Sequence, residues 1–273
     1  MERLVKVSLT GVPETMLYTL YNRAQEAKRS SSIISDPEAI RIYDSIDFDF
    51  TRFFGSVLSG AIAARAATFD KILNEWLKDH PNTHVISLGE GLETQRQRVD
   101  NGSIRWLSVD LPEVINLREQ FLPSTNRFQN LAESAFDLSW LDKVDASGDV
   151  FIIAQGLFMY FEEHQVKKLI TAIFKRLPRA RLVFDFVAIA FIQKTQNGFK
   201  LSDTYKLPPM YWGVGHKQVK NVLRNWINTD ISVKTEYYDI FTHGFQHYFL
   251  DRFLRHIPSI GNQLPGIAYV YAN

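Results

Sequence analysis

The spacing of hydrophobic residues divides the chain into two regions. Over the first 80 residues, apolar positions recur at helical intervals, and in PETMLYTLYNRAQEAKR the residues Met16, Leu17, Leu20 and Ala24 fall near one face. The segments SDPEAIRIYDSI and SGAIAARAATFDKILNEWLKDH repeat this periodicity, and the second of them ends before a proline. We therefore expect residues 1–80 to form a helical cap.

Beyond residue 80, short apolar runs alternate with helical segments. HVISLG, IRWLSVD, RFQNLA, DVFIIAQG and ARLVFDFVAI read as strands, and PEVINLREQFL and EEHQVKKLITAIFKRL as helices between them. This alternation predicts an α/β core over residues 81–273 with a parallel sheet built from βαβ units. The last runs, ISVKTEYYDI and GIAYVYAN, predict two strands that pair antiparallel. We expect one domain over residues 1–273, with a substrate-covering insertion at about residues 190–225.

Two glycines, Gly89 and Gly91, follow the first strand of the predicted sheet. Ligands of open α/β sheets bind at the carboxyl ends of the strands, and glycine permits a sharp turn or a close approach of ligand to backbone. We expect Gly91 to leave space that a cofactor needs. Asp110 ends the next strand, where a carboxylate binds ribose hydroxyls in dinucleotide folds. It could also cap the helix that follows.

Two cofactors are compatible with a glycine turn of this kind. A nicotinamide dinucleotide requires a third glycine where Thr94 stands, and Glu90 would place a negative charge beside its pyrophosphate. S-adenosyl-L-methionine carries no phosphate, and its sulfonium and ammonium groups are cationic. The residues of the loop therefore favour S-adenosyl-L-methionine.

Composition and charge narrow the possible partners. The 273 residues are 45% hydrophobic, and 31 basic residues against 30 acidic ones give a net charge of +1. These values are ordinary for a soluble globular protein and point to neither a nucleic acid nor a membrane surface. The absence of cysteine excludes disulfides, thiolate metal sites and a cysteine nucleophile, and we assign no metal ligands. A cytoplasmic location is expected, and the oligomeric state stays open.

Three segments together resemble the signature blocks of the leucine carboxyl methyltransferase family: SLGEGLETQRQR, VDLPEVINLREQFL and IIAQGLFMYFEEHQVKKLI. The head of the chain is similar to the bacterial branch of that family, which methylates small molecules such as polyketides. The resemblance covers roughly residues 5–185. It implies a Rossmann-like class I S-adenosylmethionine-dependent methyltransferase sheet, mostly parallel with an antiparallel last strand.

The resemblance also implies an activity, which is O-methylation of a carboxylate or hydroxyl on a small secondary metabolite. Two alternatives remain. One is methylation of a protein carboxyl terminus, which the bacterial-type head disfavours. The other is a nicotinamide-dependent oxidoreductase, which the loop residues disfavour.

Cofactor roles for matched positions follow from the same resemblance. Arg65 matches an arginine that binds the cofactor's methionine carboxylate, although from the sequence alone it is a solvated helix residue. Gln155 stands where the family commonly has glutamate. The glutamine keeps the shape of glutamate but lacks its negative charge next to the cofactor's ammonium. Asp137 is an alternative acid for the adenine amino group. The complete predicted cofactor set is Arg65, Gly89, Gly91, Asp110, Leu111, Ser134, Ala135, Gln155 and Gly156.

The acceptor side has weaker signals. A carboxylate acceptor needs no general base, whereas a phenol or alcohol acceptor benefits from one. Tyr160 and His216 are the candidate catalytic residues, with His243 and His247 as further histidines in the same part of the chain. Tyr211 and Trp212 are candidates for the wall of an aromatic substrate pocket, or for simple packing of the insertion.

Overall fold

The computed structural model describes residues 4–55, 59–227, 229–238 and 253–272. The strands are β1 (Val5–Lys6), β2 (Ile46–Asp47), β3 (His84–Leu88), β4 (Arg105–Asp110), β5 (Phe128–Ala132), β6 (Val150–Ala154), β7 (Arg181–Phe186), β8 (Ile231–Tyr237) and β9 (Gly266–Ala272). The longer helices are α1 (Thr15–Ala27), α2 (Pro37–Asp44), α3 (Ser59–Leu77), α4 (Gln95–Val99), α5 (Pro112–Phe121), α6 (Glu163–Arg176), α7 (Ile189–Gln196) and α8 (His216–Trp226). Short helices lie at Phe50–Phe53, Leu138–Lys143, Phe158–Tyr160 and Pro258–Gly261.

In the described parts of the chain, the central sheet has seven strands in the order β5-β4-β3-β6-β7-β9-β8. The first five in this order run parallel, whereas β9 is antiparallel to both β7 and β8. This arrangement confirms the predicted mostly parallel sheet with an antiparallel end. Because β4 and β6 lie on opposite sides of β3, the chain changes winding direction there, and ligands of open α/β sheets bind above such a point.

Helices cover both faces of this sheet. Residues of β3 alternate between the two layers: Val85 packs with Phe69 and Leu73 of α3, while Ile86 packs in the cluster that includes Ile170 of α6. Both faces of the central strands are therefore buried, which explains their unbroken apolar sequence. The helix α3 belongs to the α/β core, although the sequence placed it in the cap.

The remaining N-terminal elements form a separate layer, which we call the cap: residues 4–55 with α1 and α2. Its apolar side chains pack against residues 197–215, the covering segment, and against Val114, Leu117 and Phe121 of the core helix α5. The ring of Phe53 contacts Tyr18 of α1 and Tyr205 of the covering segment, with centroid distances of 5.4 and 4.9 Å. The covering segment is shorter than the expected insertion, because Val219 and Leu223 of α8 belong to the sheet core.

A buried cluster of charged side chains fastens the cap to the core. Arg23 of α1 pairs with Glu93 at 2.9 Å and with Asp36 at 3.3 Å. Arg98 of α4 pairs with Asp36 and Glu93, both at 2.8 Å, and with Asp70 of α3 at 2.6 Å. All five side chains are largely buried, so each charge depends on its partners for compensation. The cluster joins α1, α3, α4 and the loop after β3.

None of the described helices has the length and apolar character needed to cross a membrane.

We predict that Arg23→Met lowers the free energy of unfolding by about 3–5 kcal/mol, because it leaves buried carboxylates without a partner. Arg127→Met is the matched control. Arg127 forms an ion pair with Asp100 at 2.8 Å, but both side chains are partly exposed, so its loss should lower the free energy of unfolding far less. Urea denaturation of both variants measures the difference, and equal losses would show that burial of the cluster contributes nothing.

Candidate active site

A cavity of about 310 Å³ lies at the carboxyl ends of β3, β4 and β6. The amino-terminal part of the cap covers it, contributing Thr15, Met16 and Thr19 of α1. The cavity therefore lies between the cap and the sheet, at the position expected for a ligand of this fold. Ten predicted site residues line it: Arg65, Gly89, Gly91, Asp110, Leu111, Ser134, Ala135, Gln155, Gly156 and Tyr160.

The loop after β3 depends on two glycines with left-handed backbone. Gly89 has φ +62° and Gly91 has φ +57°, values that residues with a side chain rarely adopt. A Cβ atom on Gly91 would lie 2.8 Å from the Cβ of Met16. The space that this glycine leaves open is filled by α1, so the expectation that it makes room for the cofactor was wrong.

Asp110 lies at the end of β4 and faces this loop. Its carboxylate accepts hydrogen bonds from the backbone N–H groups of Gly91 and Leu111, both at 2.7 Å. The residue before α5 is Leu111, and α5 has no side-chain cap, so Asp110 holds the glycine loop instead of capping that helix. Burial raises the pKa of Asp110 to about 6, although both N–H groups oppose the shift.

Arg65 is buried rather than solvated, with only 7% of its surface exposed. Its Nη1 donates to Oδ2 of Asp185 at 2.9 Å, and the other oxygen of Asp185 accepts from the N–H of Gly156 at 2.6 Å. Burial alone would lower the pKa of Arg65, but Asp185 outweighs it and raises the pKa. Within the described residues, the buried Nε of Arg65 has no hydrogen-bond partner.

Gln155, at the end of β6, likewise has a polar side-chain atom without a hydrogen-bond partner in the described structure. Its Nε2 donates to Oε2 of Glu93 at 3.3 Å, and its buried Oε1 has no hydrogen-bond partner among the residues that the structure describes. Burial raises the pKa of Glu93, but Arg23 and Arg98 lower it to about 2. Glu93 is therefore ionised at neutral pH and sets the orientation of the Gln155 amide.

The charge of Glu90 is compensated by partners within the protein. Its carboxylate pairs with Arg118 at 3.0 Å and accepts from Nε1 of Trp106 at 3.1 Å. Arg118 also donates to the carbonyl oxygens of Gly91 and Glu93. Glu90 and Arg118 thus brace the loop, and their ion pair weakens the repulsion that we expected between Glu90 and a pyrophosphate.

An aromatic wall closes one side of the cavity. Ser134 and Ala135 lead into Phe136, whose ring stacks on Phe161 at 3.8 Å. Tyr160 lies next to this pair, and burial raises the pKa of Tyr160 to about 12. Asp137 precedes the short helix Leu138–Lys143, and its carboxylate caps that helix by accepting a hydrogen bond from the N–H of Ser139.

Three predicted acceptor-side residues do not line this cavity. His216 begins α8 on the sheet side, where its ring stacks on Tyr237 at 3.8 Å and burial lowers its pKa. Trp212, only 3% exposed, packs against Phe158 and other rings of the core. Tyr211 is 47% exposed on the surface. His243 and His247 lie outside the described residues.

Sequence reasoning missed two residues of this site, Glu93 and Asp185. Asp185 interrupts the apolar run VFDFV, whereas Glu93 lies in the polar segment GLETQRQR. Buried carboxylates are rare unless they are paired, so the position of Asp185 was a signal, and that of Glu93 was not. No cluster of potential metal ligands occurs in the described parts of the chain.

The polar atoms of the cavity fit S-adenosylmethionine. Among the described residues, the buried Nε of Arg65 is a donor without a partner and the buried Oε1 of Gln155 an acceptor without a partner, which complement a carboxylate and an ammonium. Asp110 presents a carboxylate that can accept from hydroxyl groups.

Solved structures with the same architecture define the class of fold. Magnesium protoporphyrin IX methyltransferase from Synechocystis, solved with bound SAH, superposes with a TM-score of 0.50 at 11% identity over 96% of this chain and 100% of that one. The PH0226 protein of Pyrococcus horikoshii gives 0.52 at 13% identity over 82% and 97%. These similarities establish the class I methyltransferase fold.

Sequence similarity establishes the family. The model of leucine carboxyl methyltransferases matches residues 17–174, and the chain belongs to that family. It is 30% identical over 215 residues to tetracenomycin polyketide synthesis O-methyltransferase TcmP of Streptomyces glaucescens, covering 77% of this chain and 78% of that protein. A methyltransferase of Gibberella zeae, dpfgK, is 26% identical over 62% of each chain. The protein is an S-adenosylmethionine-dependent methyltransferase rather than a nicotinamide-dependent oxidoreductase.

We predict that Gly91→Ala destabilises the fold more than Gly102→Ala does. Both glycines have positive φ, which costs a side-chain residue about 1–2 kcal/mol, but a Cβ on Gly102 meets no atom within 4 Å. At Gly91 the contact with Met16 should add about 1–3 kcal/mol. Urea denaturation of both variants tests the difference. Equal losses would mean that α1 does not constrain the loop.

Proposed function

We propose that the enzyme transfers a methyl group to an oxygen of a small, largely apolar organic molecule, and that a hydroxyl is the preferred acceptor. The observation that carries this proposal is the cavity's lining. Outside the polar positions of the strand ends, the lining is largely apolar and includes Val12, Pro13, Met16, Val114, Phe136, Leu157 and Phe161, together with Thr15, Thr19 and Tyr160. TcmP, described as an O-methyltransferase of polyketide synthesis, supports the choice.

The residues at the strand ends are assigned to the cofactor. Arg65 would bind its carboxylate, Gln155 its ammonium and Asp110 its ribose hydroxyls, with Ser134 and Ala135 beside its adenine. Bound there, S-adenosylmethionine supplies an activated methyl group on a sulfonium. The protein then has to position an acceptor oxygen and exclude water, which can provide roughly 7–11 kcal/mol of the barrier reduction.

The charges around the cavity disfavour a carboxylate acceptor. Of the described residues that line the cavity, Arg65 is the one cation, and it is ion-paired with Asp185. A protein carboxyl terminus would require a further cationic partner, because an unpaired carboxylate is costly to bury. Tyr160, with a pKa of about 12, stays protonated at neutral pH, so its phenol is suited to donate a hydrogen bond to the acceptor oxygen and not to act as a base.

A panel of acceptors tests the proposed function. Phenols and alcohols with ring systems, their carboxylic acid analogues, and peptides with a free carboxyl terminus are each incubated with enzyme and S-adenosylmethionine. We expect mass spectrometry to show the gain of one methyl group on the hydroxyl compounds, with far slower reaction of the other two groups. Preferred methylation of the peptides would overturn the proposal in favour of a protein carboxyl methyltransferase.

The role of Asp110 predicts a dependence of cofactor affinity on pH. Below pH of about 6 the free carboxyl is protonated, and it then loses acceptor capacity towards ribose hydroxyls and the loop N–H groups. The affinity for S-adenosylhomocysteine, measured by calorimetry, should therefore fall as the pH decreases from 7.5 to 5. Asp110→Asn should bind more weakly at pH 7.5 and show little change over this range. A variant with wild-type affinity would exclude Asp110 from the site.

A further inference from the structure

We propose that Glu93 supplies the negative charge that the cofactor's ammonium group requires, and that it acts through the amide of Gln155. Glu93 is thus a positioning residue that determines specificity for the amino acid end of the cofactor. This inference rests on the proposed placement of that end between Arg65 and Gln155. Glu93 lies in the loop after β3, and this role differs from those assigned to the loop glycines and to the ribose-binding carboxylate.

The geometry of Gln155 carries the inference. A carboxylate can only accept hydrogen bonds, so the amide nitrogen of Gln155 has to face Oε2 of Glu93, 3.3 Å away. The amide oxygen is then directed the other way, and it is the buried atom with no partner among the described residues. Both side chains line the cavity. An amide held in this orientation presents an acceptor to a ligand cation, polarised by the carboxylate behind it.

The surroundings keep Glu93 ionised. Its Oε1 accepts from the N–H of Thr94 at 2.9 Å and from Arg98 at 2.8 Å, while Arg23 contacts Oε2 at 2.9 Å. Across the whole ion cluster, two guanidinium groups face three carboxylates, those of Asp36, Asp70 and Glu93. Of these carboxylates Glu93 is the one that lines the cavity, and its negative charge favours a cationic group there.

An exchange of the charge between positions 93 and 155 tests the proposal. Binding of S-adenosylhomocysteine and of 5′-methylthioadenosine, which lacks the amino acid part, is measured by calorimetry for the wild type, Glu93→Gln and the double variant Glu93→Gln with Gln155→Glu. We expect Glu93→Gln to weaken S-adenosylhomocysteine binding at least about tenfold and to change 5′-methylthioadenosine binding less than about twofold. The double variant should recover most of the lost affinity, because it returns a carboxylate to the same subsite.

A purely structural role of Glu93 gives a different result. Loss of the ion cluster would weaken both ligands alike, and a carboxylate at position 155 would not restore binding; either outcome overturns the inference. If the wild type bound neither ligand, the proposed cofactor site itself would be wrong.

A second variant covers the case in which Glu93→Gln does not fold. Gln155→Met removes the amide and leaves the ion pairs of Glu93 intact, so folding should be preserved. It should reproduce the selective loss of S-adenosylhomocysteine affinity, with circular dichroism and the melting temperature as controls of structure. Unchanged affinity for S-adenosylhomocysteine in this variant would contradict the proposal.

Discussion

The buried ion cluster of Arg23 and Arg98 is the interaction on which the rest of the site depends. It holds Glu93 of the glycine loop from one side and Asp36 at the start of α2 from the other. The cluster thereby adds a charged anchor to a cap whose apolar contacts with the core run mainly through α5. Because charges buried in this way tolerate no loose geometry, the cluster sets both the position of the cap and the shape of the cavity beneath it.

Much of the fold was predictable because its signals are local. Apolar runs flanked by helices identified β3, β4, β6 and β7, and Asp110 at the end of β4 was recognised as a cavity residue from its position alone. The resemblance to the family supplied Arg65 and Gln155, which also line the cavity. In each case the information lies within about ten residues of the chain, in a periodicity, a strand end or a short motif.

Contacts between distant segments could not be predicted in this way. Arg65 and Asp185 are 120 positions apart, and nothing near either residue indicates the other. The contact between Gly91 and Met16 depends on how the cap settles on the loop. Trp212 and His216 looked like pocket residues because aromatic and titratable side chains are common in active sites, yet their segment returns to the sheet and buries both against other rings.

The neutral residue at position 155 follows from the charges around it. A glutamate there would place a second carboxylate within hydrogen-bond distance of Glu93, and two such carboxylates in a buried site cannot both stay ionised. One of them would take up a proton, and the pair would carry about the same charge as Glu93 alone. The amide avoids this proton exchange and keeps a defined donor and a defined acceptor. Glutamate in the loop and glutamine at the end of β6 therefore form one electrostatic unit, in which Glu93 carries the charge and the neutral amide of Gln155 donates to it.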